Sequence, residues 1–302
     1  MIAYLFPGQG AQRAGFLHAL DHPEAVAAIS EASDILKQDI LALDNEETLR
    51  STVAVQITLV VAGVATARAL SKEGIEADAV AGLSVGAYGA AVASGAIAFA
   101  DALNLVQLRA QLMEAAYPSG YGMLAIVGLS EQQVGRLLGD DAYLGNLNAP
   151  RQIVVAGSDT SLARVRQRAL EQGARKAERL AMNVPSHCIL LDKAAQELSR
   201  AASEITFNKP RIPYIGNRGA RVLREADAIR EDLATNLRYP VRWHESTIAL
   251  SELGMRVLVE MPPGRTLTLL ASEALPEMAT VALESMPITS AASRIRARLA
   301  AL

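Results

Sequence analysis

Residues 79–100 carry no charge, and the stretch is broken near its start by Gly82-Leu83-Ser84-Val85-Gly86. A G-x-S-x-G pattern demands a strand, a sharp turn and a helix in immediate succession, with the serine exposed on the turn. The flanking sequence meets that demand. Residues 78–82 read as a buried strand, 83–85 as the turn and 86–94 as the helix that follows. The same stretch is long enough to cross a bilayer, but Gly82, Gly86, Gly89 and Gly95 with Ser84 and Ser94 make it small and weakly apolar. We therefore expect strand, turn and helix, and no membrane partner.

The surrounding pattern predicts an α/β fold. Residues 2–6 suit a short buried strand closed by Pro7-Gly8-Gln9-Gly10, whose glycines let backbone amides point at a ligand. Residues 53–70 lack charge before Arg68, as a helix buried on most sides does. Asp101 is expected to cap the next helix, putting Arg109 and Met113 on one face. The middle of the chain then changes character. Strands at 123–129, 142–147, 151–156 and 174–180 with helices at 130–138 and 159–172 give a βαββαβ order, the ferredoxin-like motif. Asn148-Ala149-Pro150-Arg151 supplies the hairpin turn. Later come a helix over 188–204, a strand near 212–216, a helix over 226–237 and a strand over 255–260. The expected architecture is a large α/β-hydrolase-like domain with a short parallel sheet (1–122 and 188–302), interrupted by a small ferredoxin-like domain (123–187).

Composition narrows the function classes. Lys plus Arg total 29 against 32 for Asp plus Glu, a net charge of -3, so no global basic field invites nucleic acid. With 51% hydrophobic residues, disorder is excluded as the main state. One cysteine, Cys188, rules out an internal disulfide and a multi-cysteine zinc site, and no metal centre is expected. The first residues have no basic segment before their apolar run, which ends at a Pro-Gly turn, so a signal peptide is not expected and a cytoplasmic location is.

Serine is a poor nucleophile until a base takes its proton. Of the four histidines, His18 and His22 lie in a polar helix start and His244 beside Trp243 at another, which suits surface or capping roles. His187, in Val184-Pro185-Ser186-His187-Cys188, falls where the inserted segment returns to the large domain, a place where clefts form. It is the candidate base for Ser84; the plainer reading is a buried histidine satisfied by backbone groups. Cys188 is its chain neighbour and poorly placed to share its proton. The Val85 amide at the helix start can stabilise an oxyanion, and the Gln9 amide is the candidate second donor. Arg109 is the one charge in residues 102–110. It either snorkels to solvent or faces a carboxylate, in which case it selects an acyl group bearing its own negative charge.

Taken together these residues resemble the malonyl-CoA:acyl carrier protein transacylase family over nearly the whole chain. Phe6-Pro7-Gly8-Gln9-Gly10-Ala11-Gln12 is similar to its opening motif, residues 82–86 to its elbow, 109–113 to its arginine helix and 184–188 to its histidine motif. Pro240-Val241-Arg242-Trp243 and Pro263-Gly264 are similar to its closing motifs. The resemblance implies Ser84 as nucleophile, His187 as base, Gln9 and Val85 as oxyanion donors and Arg109 as partner of the malonyl carboxylate. Gln56 resembles an active-site glutamine of the family, and Asn236 stands where a glutamine usually orients the histidine through its backbone carbonyl. Two positions depart from the pattern: Leu83 and Ala87 replace the usual His and Glu. That variant elbow, with Gly120-Tyr121-Gly122-Met123, is most similar to the malonate decarboxylase epsilon branch.

The implied substrate is malonyl-CoA and the implied partner an acyl carrier protein, which supplies the phosphopantetheine-type arm; no permanently bound cofactor is implied. In the decarboxylase branch the acceptor is that enzyme's own carrier subunit, and other decarboxylase subunits are possible partners. A fatty-acid or polyketide carrier is the alternative, and a hydrolase or a non-catalytic scaffold subunit the more distant ones. Carriers are typically acidic, and two basic stretches offer docking surfaces: residues 164–179, with six basic side chains against Glu171 and Glu178, and residues 209–224, with five and no acid. Solvated helix faces are the plainer account of both.

Overall fold

A computed structural model of the chain describes residues 1–284 and 286–301. In chain order its first half holds β1 (Ile2–Phe6), α1 (Pro23–Leu36), α2 (Thr52–Lys72), β2 (Ala79–Gly82), α3 (Gly86–Ala93), α4 (Phe99–Ala116), β3 (Tyr121–Val127), α5 (Glu131–Gly135), β4 (Ala142–Ala149) and β5 (Gln152–Ser158). It continues with α6 (Asp159–Glu171), β6 (Lys176–Arg179), α7 (Asp192–Ser203), β7 (Tyr214–Ile215), β8 (Val222–Leu223), α8 (Ala226–Thr235), α9 (Trp243–Glu252), β9 (Val257–Glu260), α10 (Thr266–Ala274), β10 (Ala279–Ala282) and α11 (Ile288–Ala300).

The larger sheet has strand order β10-β9-β1-β2-β7-β8. Its pairings are parallel except for β8 on β7. Central β1 is buried at all five positions, as a parallel strand covered on both faces must be. Side chains alternate: Tyr4, Phe6, Val80, Val257 and Val259 enter one core, while Ala3, Leu5, Ala79, Ala81 and Leu258 enter another beneath Trp243, Leu250 and Leu270. Among the described residues one helix, α2, is long and apolar enough to cross a membrane, yet 83% of its apolar window is buried inside the protein. It is the core helix of the first layer. Gly63 lets it approach β1, since a Cβ there would come 2.7 Å from the Phe6 ring.

The smaller sheet is antiparallel throughout, in the order β4-β5-β3-β6. One face packs on α5 and α6 through Leu124, Ile126, Val155, Leu162 and Val165. The other presents Met123, Val154 and Ala156 toward Cys188. Strand β4 is stitched to the large unit by Leu147 N donating to Val241 O (2.8 Å) and Val241 N to Gly145 O (2.8 Å). The molecule is thus a mixed α/β structure in which a parallel sheet and an antiparallel one meet.

Several local expectations shift. Asp101 does not cap α4: the cap is Ala98 and Asp101 sits in the first turn, where a carboxylate still complements the helix dipole. The buried side chain of Phe99 docks the helix start before the aspartate is reached. The expected helix over 130–138 is a single turn and a half, opened by a Ser130 capping box and closed after Gly135. The helix expected over 188–204 begins as a 3-10 turn, Ile189–Leu191, and that over 226–237 ends as one, Asn236–Arg238. Helices α10 and α11 and strands β8 and β10 complete the layers without having been anticipated, and the helix start expected near His22 is that of α1.

Candidate active site

The elbow is dictated by two glycines. A Cβ on Gly82 would lie 2.2 Å from the Gly86 carbonyl, and one on Gly86 would lie 2.1 Å from Phe6 O. Only bare backbone lets the turn fold over the end of β1. Ser84 pays for this with a left-handed backbone, φ 57°. Val85 stands at the N-cap of α3, where backbone amides have no intrahelical acceptor. Gln9, between Gly8 and Gly10 after β1, lines the same cavity of about 240 Å³ as Ser84, Val85 and His187.

His187 is brought in from 103 residues away, and its Nε2 lies 2.7 Å from Ser84 Oγ. Its Nδ1 lies 2.7 Å from Asn236 O. A carbonyl can only accept, so Nδ1 carries the proton and Nε2 presents its lone pair to the serine hydroxyl. The His187 backbone is also left-handed, φ 65°, and its amide donates to Leu237 O at 2.8 Å. Burial, reinforced by the nearby Arg109 cation, pushes its pKa down to about 3. The imidazole is therefore neutral at physiological pH, the form a general base requires.

Arg109 is fully buried. Its Nη1 donates to Gln56 Oε1 (2.6 Å), and Nη2 to Ser84 Oγ (3.2 Å) and Asn236 Oδ1 (3.3 Å). Its Nε has no hydrogen-bond partner among the described residues. Among the described residues its hydrogen-bond partners are neutral oxygens, none of them a carboxylate. Burial lowers its pKa to about 10, which Tyr88 partly opposes, and leaves it a cation at neutral pH. Gln56, itself buried, directs its Nε2 to Met113 Sδ at 3.4 Å. The guanidinium lies behind Gln56 and Ser84, beneath the cavity rather than on its wall.

The remaining histidines serve structure. The His22 Nδ1 accepts from Glu24 N and caps α1, His18 meets the buried Asp44 at 3.0 Å, and His244 sits in the first turn of α9. Cys188 is free and buried, its thiol pushed up to about 12 by burial, so it is held as the unreactive thiol. Two features escaped the sequence reading. Asn146, Asn148 and Gln152 line the cavity from the small sheet; the first two alternate at the strand period, which was the available signal. Asn217 accepts from Ser84 N at 2.8 Å, a contact across 133 residues that no local pattern announces.

The chain matches the acyl transferase domain family over residues 3–294. It is 36% identical to the malonyl CoA-acyl carrier protein transacylase of Escherichia coli K12, across 96% of this chain and 98% of that protein. An acyl carrier protein S-malonyltransferase from Vibrio cholerae superposes with a TM-score of 0.91 at 35% identity, covering 97% of this chain and 99% of the other. The malonyl-transacylase solved in complex with the type II polyketide acyl-carrier protein AntF gives 0.92 at 34% identity, with 97% and 99% covered. An elbow serine beside a histidine held by a carbonyl, on a fold and sequence shared end to end with these proteins, makes this chain an acyltransferase of the malonyl-CoA:acyl carrier protein transacylase family.

Proposed function

We propose that the protein transfers malonyl from malonyl-CoA to the thiol of an acyl carrier protein by way of a Ser84 ester. His187 Nε2 takes the Ser84 proton as Oγ attacks the thioester carbonyl, and the Gln9 and Val85 amides hold the tetrahedral oxyanion, where one donor is worth about 10²–10³-fold. The intermediate collapses, the C–S bond breaks, and the CoA sulfur leaves with the proton returned by His187. The carrier's thiol then enters the cleft and reverses the sequence, giving ping-pong kinetics. Gln56 and Asn236 hold the guanidinium, and the Asn236 carbonyl fixes the imidazole. The observation that carries the reading is Arg109: a buried cation whose partners among the described residues are neutral, 3.2 Å from the Ser84 hydroxyl, calls for an anionic acyl group. The malonyl carboxylate supplies it by replacing the Ser84 and Asn236 contacts at Nη2.

Within the fold, residues 123–187 form a ferredoxin-like insertion in an α/β-hydrolase-like domain (1–122 and 188–302), a reading supported by the β4-β5-β3-β6 order. Leu83 and Ala87 favour the malonate decarboxylase carrier subunit as acceptor, with other decarboxylase subunits as neighbours; a fatty-acid or polyketide carrier is the reading favoured by the relatives' names. A single free thiol fits a reducing, cytoplasmic setting. Arg218 and Arg221 are assigned to carrier docking. Arg218 stacks on Tyr239 at 3.9 Å and already meets Glu231, so its charge is partly spent.

Intact mass after brief mixing with malonyl-CoA tests the chemistry: a malonyl adduct is expected on the wild type and none on Ser84→Ala, and an adduct on both variants refutes the serine ester. Offering the two carrier types to the isolated adduct then decides the acceptor. Charge reversal at Arg218 or Arg221 is expected to raise the carrier's KM severalfold; an unchanged KM in both refutes the docking assignment.

A further inference from the structure

We propose that Asn217 is a positioning residue that holds the Ser84 turn in its reactive shape through paired hydrogen bonds to the Gly82 carbonyl and the Ser84 amide, the backbone that leads into the nucleophile. The inference rests on Ser84 as the acylated residue. The parallel ladder between β2 and β7 ends at Ala81 and Ile215, so the chain beyond it has no partner strand. The carboxamide of Asn217 takes the strand's place. Its Nδ2 donates to Gly82 O at 2.8 Å, and its Oδ1 accepts from Ser84 N at 2.8 Å. The carbonyl and the amide admit only this orientation of the side chain. A non-glycine residue at φ 57° is strained and persists only where its surroundings over-determine it. Two bonds to the backbone that enters Ser84, from a residue only 2% exposed, provide that constraint.

Asn217 is in turn fixed on both sides. Its amide donates to Asp232 Oδ1 at 2.9 Å, and its carbonyl accepts from Arg242 N at 3.1 Å. Asp232 also accepts from Arg218 N (3.3 Å) and from the Tyr214 hydroxyl (3.1 Å), so the buried carboxylate is well satisfied. One residue on, Leu233 O accepts from the Tyr88 hydroxyl of α3 at 2.9 Å. Four residues after Asp232 stands Asn236, whose carbonyl orients His187. Segment 232–236 therefore references both members of the dyad to one rigid helix end: the serine through Asn217 and the histidine directly.

The test measures the acylation rate constant and KM for malonyl-CoA in Asn217→Ala and Asn217→Asp, at temperatures well below each variant's thermal midpoint. Asn217→Ala is expected to slow acylation ~10²-fold, as a misplacement of about 1 Å does, with KM changed less than about threefold because Arg109 and its Gln56 and Asn236 partners are untouched. In Asn217→Asp an ionised carboxylate has no proton for Gly82 O, whereas the neutral acid restores one donor and one acceptor in the same plane. Its rate relative to wild type is accordingly expected to climb ~10-fold or more from pH 8 to pH 5.5. Packing alone would not produce that rise, and His187 stays neutral throughout the range. An alanine variant within threefold of wild type, or an aspartate variant whose relative rate is flat with pH, overturns the proposal; should the alanine variant not fold, the aspartate series decides it. Wild type lacking a Ser84-dependent adduct overturns the serine reading itself, an outcome distinct from an adduct indifferent to Asn217.

Discussion

The two halves of the dyad sit on left-handed backbone, φ 57° at Ser84 and φ 65° at His187, but they reach it by opposite means. Ser84 lies between glycines whose missing side chains admit Phe6 O and the elbow's own backbone. His187 has Ser186 and Cys188 as its chain neighbours, with no glycine between Gly173 and Gly216. Its conformation is imposed from outside, by Leu237 O on its amide and Asn236 O on its ring. One half is admitted by its own glycines and held by Asn217, and the other is held by a segment about 50 residues further along the chain. The first should fail abruptly when its glycines change. The second should degrade according to which of its external bonds is lost.

The largest effect is expected at the elbow. Gly86→Ala forces a Cβ to 2.1 Å from Phe6 O, backbone against backbone, and is expected to cost more than about 3 kcal/mol, leaving little folded protein by thermal melt. Retention of a near wild-type midpoint would show that the elbow yields and would erase the contrast. Next comes His187→Ala, expected to lower acylation by ~10³-fold or more while the protein stays folded. This variant also reads the buried imidazole as a stability term. With a folded pKa of about 3 against an ordinary value near 6.5, the unfolded chain binds the extra proton between those values. Wild type must then lose stability as pH falls through that window, by at most about 1.4 kcal/mol per pH unit from this group. The alanine variant should show a flatter acid limb in denaturant melts, and equal slopes would mean that the imidazole is not held neutral.

The smallest effect sharpens the comparison most. Asn236→Ala keeps the carbonyl that orients His187 and removes only the amide that touches Arg109 and Ser84 O. Acylation is expected to fall less than ~10-fold, with KM for malonyl-CoA affected more than kcat. A collapse as deep as that of His187→Ala would show that the side chain, not the backbone, carries the orientation.

The same contrast explains what could be read from the sequence. The elbow was legible because its chemistry is written in five consecutive residues, and Arg109 because a lone charge in an apolar run is conspicuous. His187 was reachable by elimination among four histidines. The bond that fixes its tautomer was expected only through resemblance, since a backbone carbonyl leaves no mark on residue type. Asn217 was invisible because its partner strand is short and its role depends on β7 lying beside β2. The hydrogen bond from Arg109 to the Asn236 side chain went unseen for the same reason. Helices α10 and α11 were missed where short apolar periodicity competes with alanine-rich runs, and the short helix over α5 was overextended because Gly135 ends a turn that the polar pattern alone would continue.

The pairing of β1 with β2 aligns Phe6 with Gly82, which leaves Gln9 and Val85 each three residues beyond a matched rung. The separation of the two amides assigned to the oxyanion is therefore measured from one rung of the sheet, with equal lengths of chain on either side of it. Loops elsewhere can lengthen or shorten without altering it, but a slip of one residue between these two strands would also exchange every inward and outward side chain. The spacing of the proposed oxyanion donors and core packing thus share one origin in the β1–β2 register, and a register change that spoils the first will be registered as a loss of the second.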